Sequence, residues 1–430
     1  MNKSKSTRRK FLKSTAVVGG TMALNLGYSQ PAFNPQSPTL KVGLIGCGGR
    51  GTGAAVQALK ADPDVVLTAM GDVFSDRLEL AYEAINEVAP EKVKVSPEQK
   101  FVGFDAYKQV MATDVDVVLL TTPPSFRPYH LMAAIDAGKH VFCEKPVAVD
   151  AIGVRKVLEA AKKAKEKNLS VVSGFCFRYS DPNRAFVKQI KNGAVGEIMT
   201  ISSTRNGGEL WSKPRQPEWT EMEYQMRNWY YYHWLSGDHI VEQAVHSIDL
   251  MAWAMGDQMP VKAMGTGGRQ VRTDPIYGDI YDHFAIEYEY ENGAKGYHFC
   301  RQQNGCAPGN ALDIAGTQGR GTLNLWQGVN QISGASSWSF EGEKNDMYQQ
   351  EHNELFASIR NGKPMNDGTW MASSTMMAIL GRMVAYSGQT ITWDDAFHSD
   401  RLAGPANDQF AWDLKWPGTG VALPGTTEVL

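Results

Sequence analysis

The sequence predicts an α/β protein in two parts: a doubly wound parallel sheet, then an α+β domain with an open, largely antiparallel sheet. Three observations carry that prediction. Short, unbroken apolar runs alternate with helix-compatible stretches over the first 174 residues. The first of these runs feeds directly into glycines spaced G-x-G-x-x-G, and beyond residue 175 the apolar pattern changes to longer, alternating strands. A chain of 430 residues is too long for one ordinary core. The expected divisions are a leader and linker over 1–34, a first domain over 38–174, a second over 175–397 and a C-terminal arm over 398–430.

The first element is the run over 41–45, continuous enough to be a strand buried on both faces. It leads into Gly46, Gly48 and Gly51, with Gly49 and Arg50 inside the same turn, and then into a helix over 52–60. In such a turn the first glycine makes the reversal and the second lets backbone approach a pyrophosphate. The third permits close helix–strand packing, and the helix N-terminus offers free N–H groups to phosphate oxygens. A second strand over 65–70 ends at Asp72, about 20 residues beyond the last glycine, where an acid can bind both ribose hydroxyls of an adenosine. That acid would repel a 2′-phosphate, so NAD is expected rather than NADP; Arg77 is the neighbour that could blunt the preference.

Helical spacing follows over 76–87, then a short strand and helix within 98–110. The strand over 115–120 ends in Thr121, Thr122, Pro123 and Pro124, where proline stops the ladder and leaves a loop at the ligand-binding edge of the sheet. His130 opens a helix over 131–137. A strand over 139–143 ends at Glu144, Lys145 and Pro146, a long helix covers 151–167 and a last strand covers 170–173. This alternation describes a Rossmann domain. The second domain is expected to contain strands over 197–203, 261–267, 283–290 and 295–302, with Asn292-Gly293 turning a hairpin, and helices over 241–255, 349–361 and 371–386. The tract 304–310 reads either as a loop closing over a site or as a hairpin turn.

Composition narrows the partners. An apolar content of 43% with 21% charged residues is that of a soluble globular protein, and a net charge of −3 without a long basic run argues against nucleic acid. Five cysteines with no C-x-x-C indicate neither a disulfide framework nor a zinc site. Arg8 and Arg9, followed by Lys10, Phe11 and Leu12, have a twin-arginine arrangement, and the weakly apolar stretch over 14–26 is too short to span a bilayer. A bacterial protein exported already folded, to the periplasm or beyond, is expected. Such a protein has no cytoplasmic cofactor pool to draw on, so its cofactor should be loaded beforehand and held tightly.

The glycine fingerprint, the strand ending in Thr-Pro-Pro, and the run Ala137-Gly138-Lys139-His140-Val141 leading to Glu144-Lys145-Pro146 together resemble the Gfo/Idh/MocA family, named for glucose-fructose oxidoreductase and inositol dehydrogenase. The resemblance covers nearly all of the chain after the leader. It implies that Lys145 lies near the nicotinamide and the reacting hydroxyl; Glu144 beside it, and Thr122, Pro123, Pro124 and His130 from the loop at the sheet edge, are counted as cofactor contacts, with a helix-start residue as the competing reading of His130. It also implies an acid and, four residues on, a histidine from the second domain, here Glu242 and His246; the family more usually has aspartate at the first of these. Arg178 matches a family position near nicotinamide or substrate, although a structural ion pair is the competing reading. Asp249 is counted with it.

The residue types suit the chemistry. Oxidising an alcohol requires removal of the hydroxyl proton, which a histidine near its working pH can accept, while a lysine can stabilise the developing alkoxide. A spacing of four would put Glu242 and His246 on one helix face. The aromatic tract over 227–234, with Tyr232 and His233 as candidate pocket members, suits either a carbohydrate or an interface. The expected function is an NAD-dependent oxidoreductase acting on a secondary hydroxyl of a sugar or glycoside, with C3 oxidation to a 3-keto sugar as the specific expectation. Because the cofactor is captive, a ping-pong cycle with a second carbonyl acceptor fits. The competing readings are a glycoside hydrolase working by transient oxidation, elimination and re-reduction, and a non-catalytic sugar-binding protein. An open sheet with an uncovered face suggests a homo-oligomer.

Overall fold

The computed structural model describes residues 38–430 except 407, 408, 417 and 419; the twin-arginine tract lies outside the described residues. Strands β1 (Leu40–Ile45), β2 (Val65–Asp72), β3 (Lys100–Val102), β4 (Val117–Leu120), β5 (His140–Cys143) and β6 (Val171–Ser173) form one parallel sheet in the order β3-β2-β1-β4-β5-β6. The order reverses between β1 and β4, which opens a crevice at their carboxyl ends. Helices α1 (Gly49–Ala61), α2 (Ser75–Val88), α3 (Ala106–Met111), α4 (Arg127–Asp136) and α5 (Ala151–Glu166) cover the two faces. Side chains alternate across each strand, so one sheet feeds two cores. Val42, Leu44, Leu67 and Leu119 pack with α1 and α2, whereas Ile45, Ala69, Val118 and Leu120 pack with α3, α4 and α5. Helix α5 begins at Asp150, whose side chain accepts the Gly153 N–H at 2.8 Å, a cap worth about 1 kcal/mol.

The second part runs through α6 (Asp181–Lys191), β7 (Ile198–Gly207), α7 (Glu221–Arg227), α8 (His233–Ser236), α9 (Asp238–Glu242) and α10 (Val245–Ala254). Strands β8 (Lys262–Gly268), β9 (His283–Glu289), β10 (Lys295–Gln302), β11 (Gly309–Gly316), β12 (Gly319–Asn324), β13 (Val329–Gly334) and β14 (Trp338–Ser339) come next, followed by α11 (Met347–Arg360), α12 (Gly368–Ser387), β15 (Ile391–Thr392) and α13 (Trp393–His398). The strands make a nine-stranded sheet in the order β14-β13-β12-β11-β7-β10-β9-β8-β15, antiparallel except for the neighbours β7 and β10. Phe284, Ile286 and Tyr288 are buried on the face covered by α10 and α12, while Met264 and Phe299 stay exposed on the other. Among the described residues no helix is long and apolar enough to cross a membrane.

Three features depart from the sequence reading. The helix expected over 241–255 is two helices, α9 and α10, separated at Gln243 and Ala244. The tract 304–310 is not a hairpin turn, because it links β10 to β11, which lie on either side of β7. Part of the segment expected to be wholly second domain returns to the first sheet. Helix α11 packs on α1 and contributes Leu355 and Phe356 to that core; burying Phe356 contributes about 2 kcal/mol. Val171 of β6 then pairs with Met365 and Asp367 through backbone hydrogen bonds of 2.8 and 2.9 Å. Beyond His398 the described residues form no helix or strand. Arg155 fixes the start of this arm by donating to the carbonyls of Phe397 and Ser399.

Candidate active site

The glycine turn sorts its residues by cause. Gly46 adopts a φ of +96°, and a Cβ there would sit 2.6 Å from the Thr122 backbone nitrogen. A Cβ on Gly51 would collide with the Gly46 carbonyl, which also accepts the Thr121 hydroxyl at 2.6 Å. Both positions therefore need glycine for the fold itself. Gly48 and Gly49 are different, for a Cβ at either meets nothing within 4 Å. The open space above them, at the amino end of α1, suits a pyrophosphate approaching from outside the chain. Asp72, at the end of β2, accepts the N–H groups of Cys47 at 2.5 Å and Phe74 at 2.8 Å, which ties this acid to the turn. Burial holds its carboxyl above the usual range.

His130 supports this edge from beneath. It is buried between Tyr107 and Phe126, with ring centroids at 4.1 and 5.9 Å, and its Nδ1 lies 3.3 Å from the Thr122 hydroxyl. Burial, then the Arg127 charge, push its pKa down to about 3, so it is neutral and shapes the Thr122, Pro123 and Pro124 loop without offering a charge to a ligand.

At the end of β5, Glu144 and Lys145 divide their tasks. The Glu144 carboxylate accepts from Arg50 Nε at 2.5 Å and from the Lys145 backbone N–H at 3.1 Å, and a Cβ on Gly174 would press on it at 2.8 Å. Arg50 extends further to Gln57 at 2.8 Å and to the buried Glu351 at 3.4 Å. The Lys145 ammonium crosses to the second domain, where it donates to the Glu242 backbone carbonyl at 2.5 Å and to the Glu242 carboxylate at 3.1 Å. This contact gives the break between α9 and α10 a purpose. In a continuous helix the Glu242 carbonyl would accept the His246 N–H; here it is available to Lys145. Glu242 and His246 therefore sit on two consecutive short helices, not on one face of a single helix.

His246 opens α10, half-buried against Phe177 and Phe175 with ring centroids at 4.7 and 5.9 Å, and its Nδ1 has no hydrogen-bond partner. Burial, then the charges of Lys145, Arg205 and Arg50, hold its pKa well below the ordinary value. Near neutral pH it is an uncharged imidazole able to accept a proton. Arg205, which the sequence reading missed, projects from β7, bonds Gln243 at 3.3 Å and lies 5.3 Å from the Trp326 ring centroid. Its signal was its inward strand parity, shared with the buried Ser203. Glu351, also missed, carried no local signal.

Four predicted substrate contacts are placed otherwise. Arg178 and Asp249 are buried and bind each other at 2.8–3.0 Å; Arg178 also reaches Asp257 and stacks on Trp370, and Asp249 accepts the Ser374 hydroxyl. Arg178 Nε and Nη2 and the Asp249 carboxylate thus make the structural ion pair that was the competing reading of Arg178. His233 donates its N–H to Asp279 at 2.7 Å, pairs its Nδ1 with the same carboxylate at 2.8 Å, and lines a cavity with Arg382 and Tyr386 beneath the C-terminal arm. Tyr232 packs in the aromatic cluster of Phe126, Tyr224 and Trp234. The partners described for these two lie away from Lys145 and His246.

Comparison with known proteins agrees with this architecture. Residues 40–173 match the family model described as an oxidoreductase family with an NAD-binding Rossmann fold, and residues 184–322 match the GFO/IDH/MocA C-terminal domain. The chain belongs to the Gfo/Idh/MocA oxidoreductase family. Among relatives in this family, the myo-inositol 2-dehydrogenase of Thermotoga maritima is 23% identical over 335 residues, covering 76% of this chain and 90% of that one. An inositol 2-dehydrogenase of Klebsiella pneumoniae is 28% identical over 222 residues, 51% of this chain and 55% of its own length. Levoglucosan dehydrogenase in complex with NADH and levoglucosan shares the fold with a TM-score of 0.64 at 18% identity, over 82% of this chain and 99% of that one. The aldose-aldose oxidoreductase of Caulobacter crescentus does so with a TM-score of 0.65 at 17% identity, with the same coverage. The first domain is thus an NAD-binding domain, and its open glycine face fits that cofactor.

Proposed function

We propose that this oxidoreductase oxidises a secondary hydroxyl of a sugar or glycoside, with C3 as the position attacked and the cofactor retained through the cycle. The observation that carries the reading is the bond from the Lys145 ammonium of the first domain to Glu242 of the second, four residues before His246. An ammonium has three N–H donors. Two point to Glu242, which leaves one for a substrate oxygen. His246 accepts the hydroxyl proton, and Lys145 stabilises the negative charge left on that oxygen. Glu242 fixes the direction of the lysine, and its longer side chain still reaches it. Bound NAD supplies the electron-pair acceptor for the carbinol hydrogen. The relatives and fold neighbours named for inositol, levoglucosan and aldoses support a carbohydrate or cyclic polyol as substrate.

The same reading includes export by the twin-arginine leader, tested by fractionating cells that express the full chain, and self-association through the open sheet face bearing Met264 and Phe299, tested by light scattering. The central test is a screen of monosaccharides and glycosides against purified protein, following the reduced-nicotinamide absorbance and product mass. Loss of two hydrogens from a sugar, abolished by Lys145→Ala, is expected. Turnover that survives Lys145→Ala would overturn the assignment. Release of a free aglycone with no net redox change would replace it with glycoside cleavage.

A further inference from the structure

The C-terminal arm has no place in the chemistry above, yet its aromatic residues gather at one spot. Phe410 lies 5.0 Å from Phe126, 5.8 Å from Phe104 and 5.9 Å from Trp234 between ring centroids. Trp412 lies 4.8 Å from Phe104 and 5.4 Å from Phe74. Phe74, Phe104 and Phe126 stand on the loops that follow β2, β3 and β4, at the carboxyl edge of the NAD-binding sheet. Phe74 is also bonded to the ribose-side acid, since its N–H donates to Asp72 at 2.8 Å. Trp412 is therefore one ring removed from Asp72, and Phe410 one ring removed from the loop containing Pro123 and Pro124.

The arm is secured on both sides of this contact. Before it, the Ala403 N–H donates to Asp150 at 3.1 Å; after it, the Ala422 carbonyl accepts the Tyr281 hydroxyl at 2.8 Å, and the Gly425 N–H donates to Ser387 at 2.7 Å. Between those anchors the described residues 409–416 meet the first domain through rings, while the backbone N–H groups of Gln409 and Leu414 donate within the arm, to Ala406 and Ala411. Ring contacts of this kind, in a segment tied to the body on both sides, can part without unfolding the body. A half-buried aromatic surface of this kind also suits a flat, π-rich group such as an adenine.

We infer that the C-terminal arm is a clasp on the cofactor, with Phe410 and Trp412 forming the outer wall of the adenosine end of the site. NAD then leaves only when the arm lifts, which gives the retained cofactor of the proposed function a physical cause. The clasp rests on that reading in one respect: the site must take a dinucleotide.

The test measures NAD dissociation from the full chain, using displacement by excess unlabelled dinucleotide and the nicotinamide signal as readout. Phe410→Ala and Trp412→Ala together should speed release about tenfold or more, with little change in association. Release at the wild-type rate from the double variant overturns the clasp while leaving dinucleotide binding intact. Failure of the wild-type chain to bind NAD at all overturns both. A second measurement needs no variant: NAD should slow tryptic cleavage after the exposed Lys415 several-fold in the wild-type protein. Cleavage at the same rate with and without NAD counts against the clasp.

Discussion

The contact between Lys145 and Glu242 makes a graded prediction. Their side chains are 10% and 9% exposed, so water cannot freely replace what one loses when the other is removed. Glu242→Ala deletes the carboxylate acceptor at 3.1 Å and spares the backbone carbonyl at 2.5 Å. The ammonium stays in place but loses its orientation about that bond. A hydrogen bond between charged groups contributes about 1.5–3 kcal/mol. At about 1.36 kcal/mol per tenfold change in rate, that becomes a fall in kcat/KM of about 10- to 150-fold. Glu242→Gln keeps an acceptor of the same length without its charge and should fall between Ala and wild type. Glu242→Asp keeps the charge but withdraws it by a methylene, and should lose least, because the lysine remains anchored on the carbonyl and can swing toward the shorter acid. The assay is steady-state oxidation of the best sugar from the screen, with bound NAD quantified in every variant. An alanine variant within threefold of wild type would refute the role given to Glu242, as would an aspartate variant worse than alanine.

The glycines of the turn should separate fold from ligand. Gly51→Ala, which collides with the Gly46 carbonyl, should destabilise the protein in denaturant unfolding, whereas Gly48→Ala, which meets nothing within 4 Å, should leave unfolding unchanged and weaken NAD binding about tenfold or more in a fluorescence titration. Arg178→Ala should strand the buried Asp249 carboxylate and lower the unfolding free energy by about 3–5 kcal/mol, with KM unchanged in whatever protein remains folded. The pH profile follows from the sign of the His246 shift. Its pKa is lowered, so the base form persists below the ordinary value of 6.5, and the acid limb of kcat/KM should lie below pH 6.5 with a plateau above. Arg205→Gln, by removing one of the depressing charges, should move that limb upward; a wild-type limb above pH 7 would contradict the assignment of His246 as base.

The parts legible in sequence were those whose physics is local. The glycine turn, the acid at the end of β2 and the Glu-Lys-Pro loop each depend on a few neighbouring residues, and the structure brings them to one sheet edge. What could not be read depends on distant partners. Nothing near residue 243 announces a helix break, because Gln and Ala are compatible with helix and the carbonyl freed there goes to a lysine 97 positions away. Arg178 carries the same charge whether it faces a sugar or Asp249, and only the fold, which brings together residues 71 apart, decides between them. Glu351 meets Arg50 across 301 positions. Strands β11 to β13 escaped notice for a different reason. Gly309, Gly316, Gly319 and Gly334 sit at their ends and Gly321 inside β12, and glycine weakens both strand propensity and the pattern used to detect it.

A common logic joins the two domains at the lysine. Lys145 has an acid on each side, Glu144 in its own loop and Glu242 across the domain boundary, and an ammonium between two free carboxylates would be drawn to both. Arg50 removes that ambiguity by holding the Glu144 carboxylate from the glycine turn. The first domain thereby satisfies its own acid internally and presents an ammonium whose charged partner is in the second domain. The orientation of the lysine and the contact between the domains thus rest on the same bond, because among the described residues the only carboxylate bonded to the ammonium belongs to the element that ends beside His246. The break between α9 and α10 frees the Glu242 carbonyl from the His246 N–H it would accept in an unbroken helix, so the ammonium has it as a second anchor beside the carboxylate.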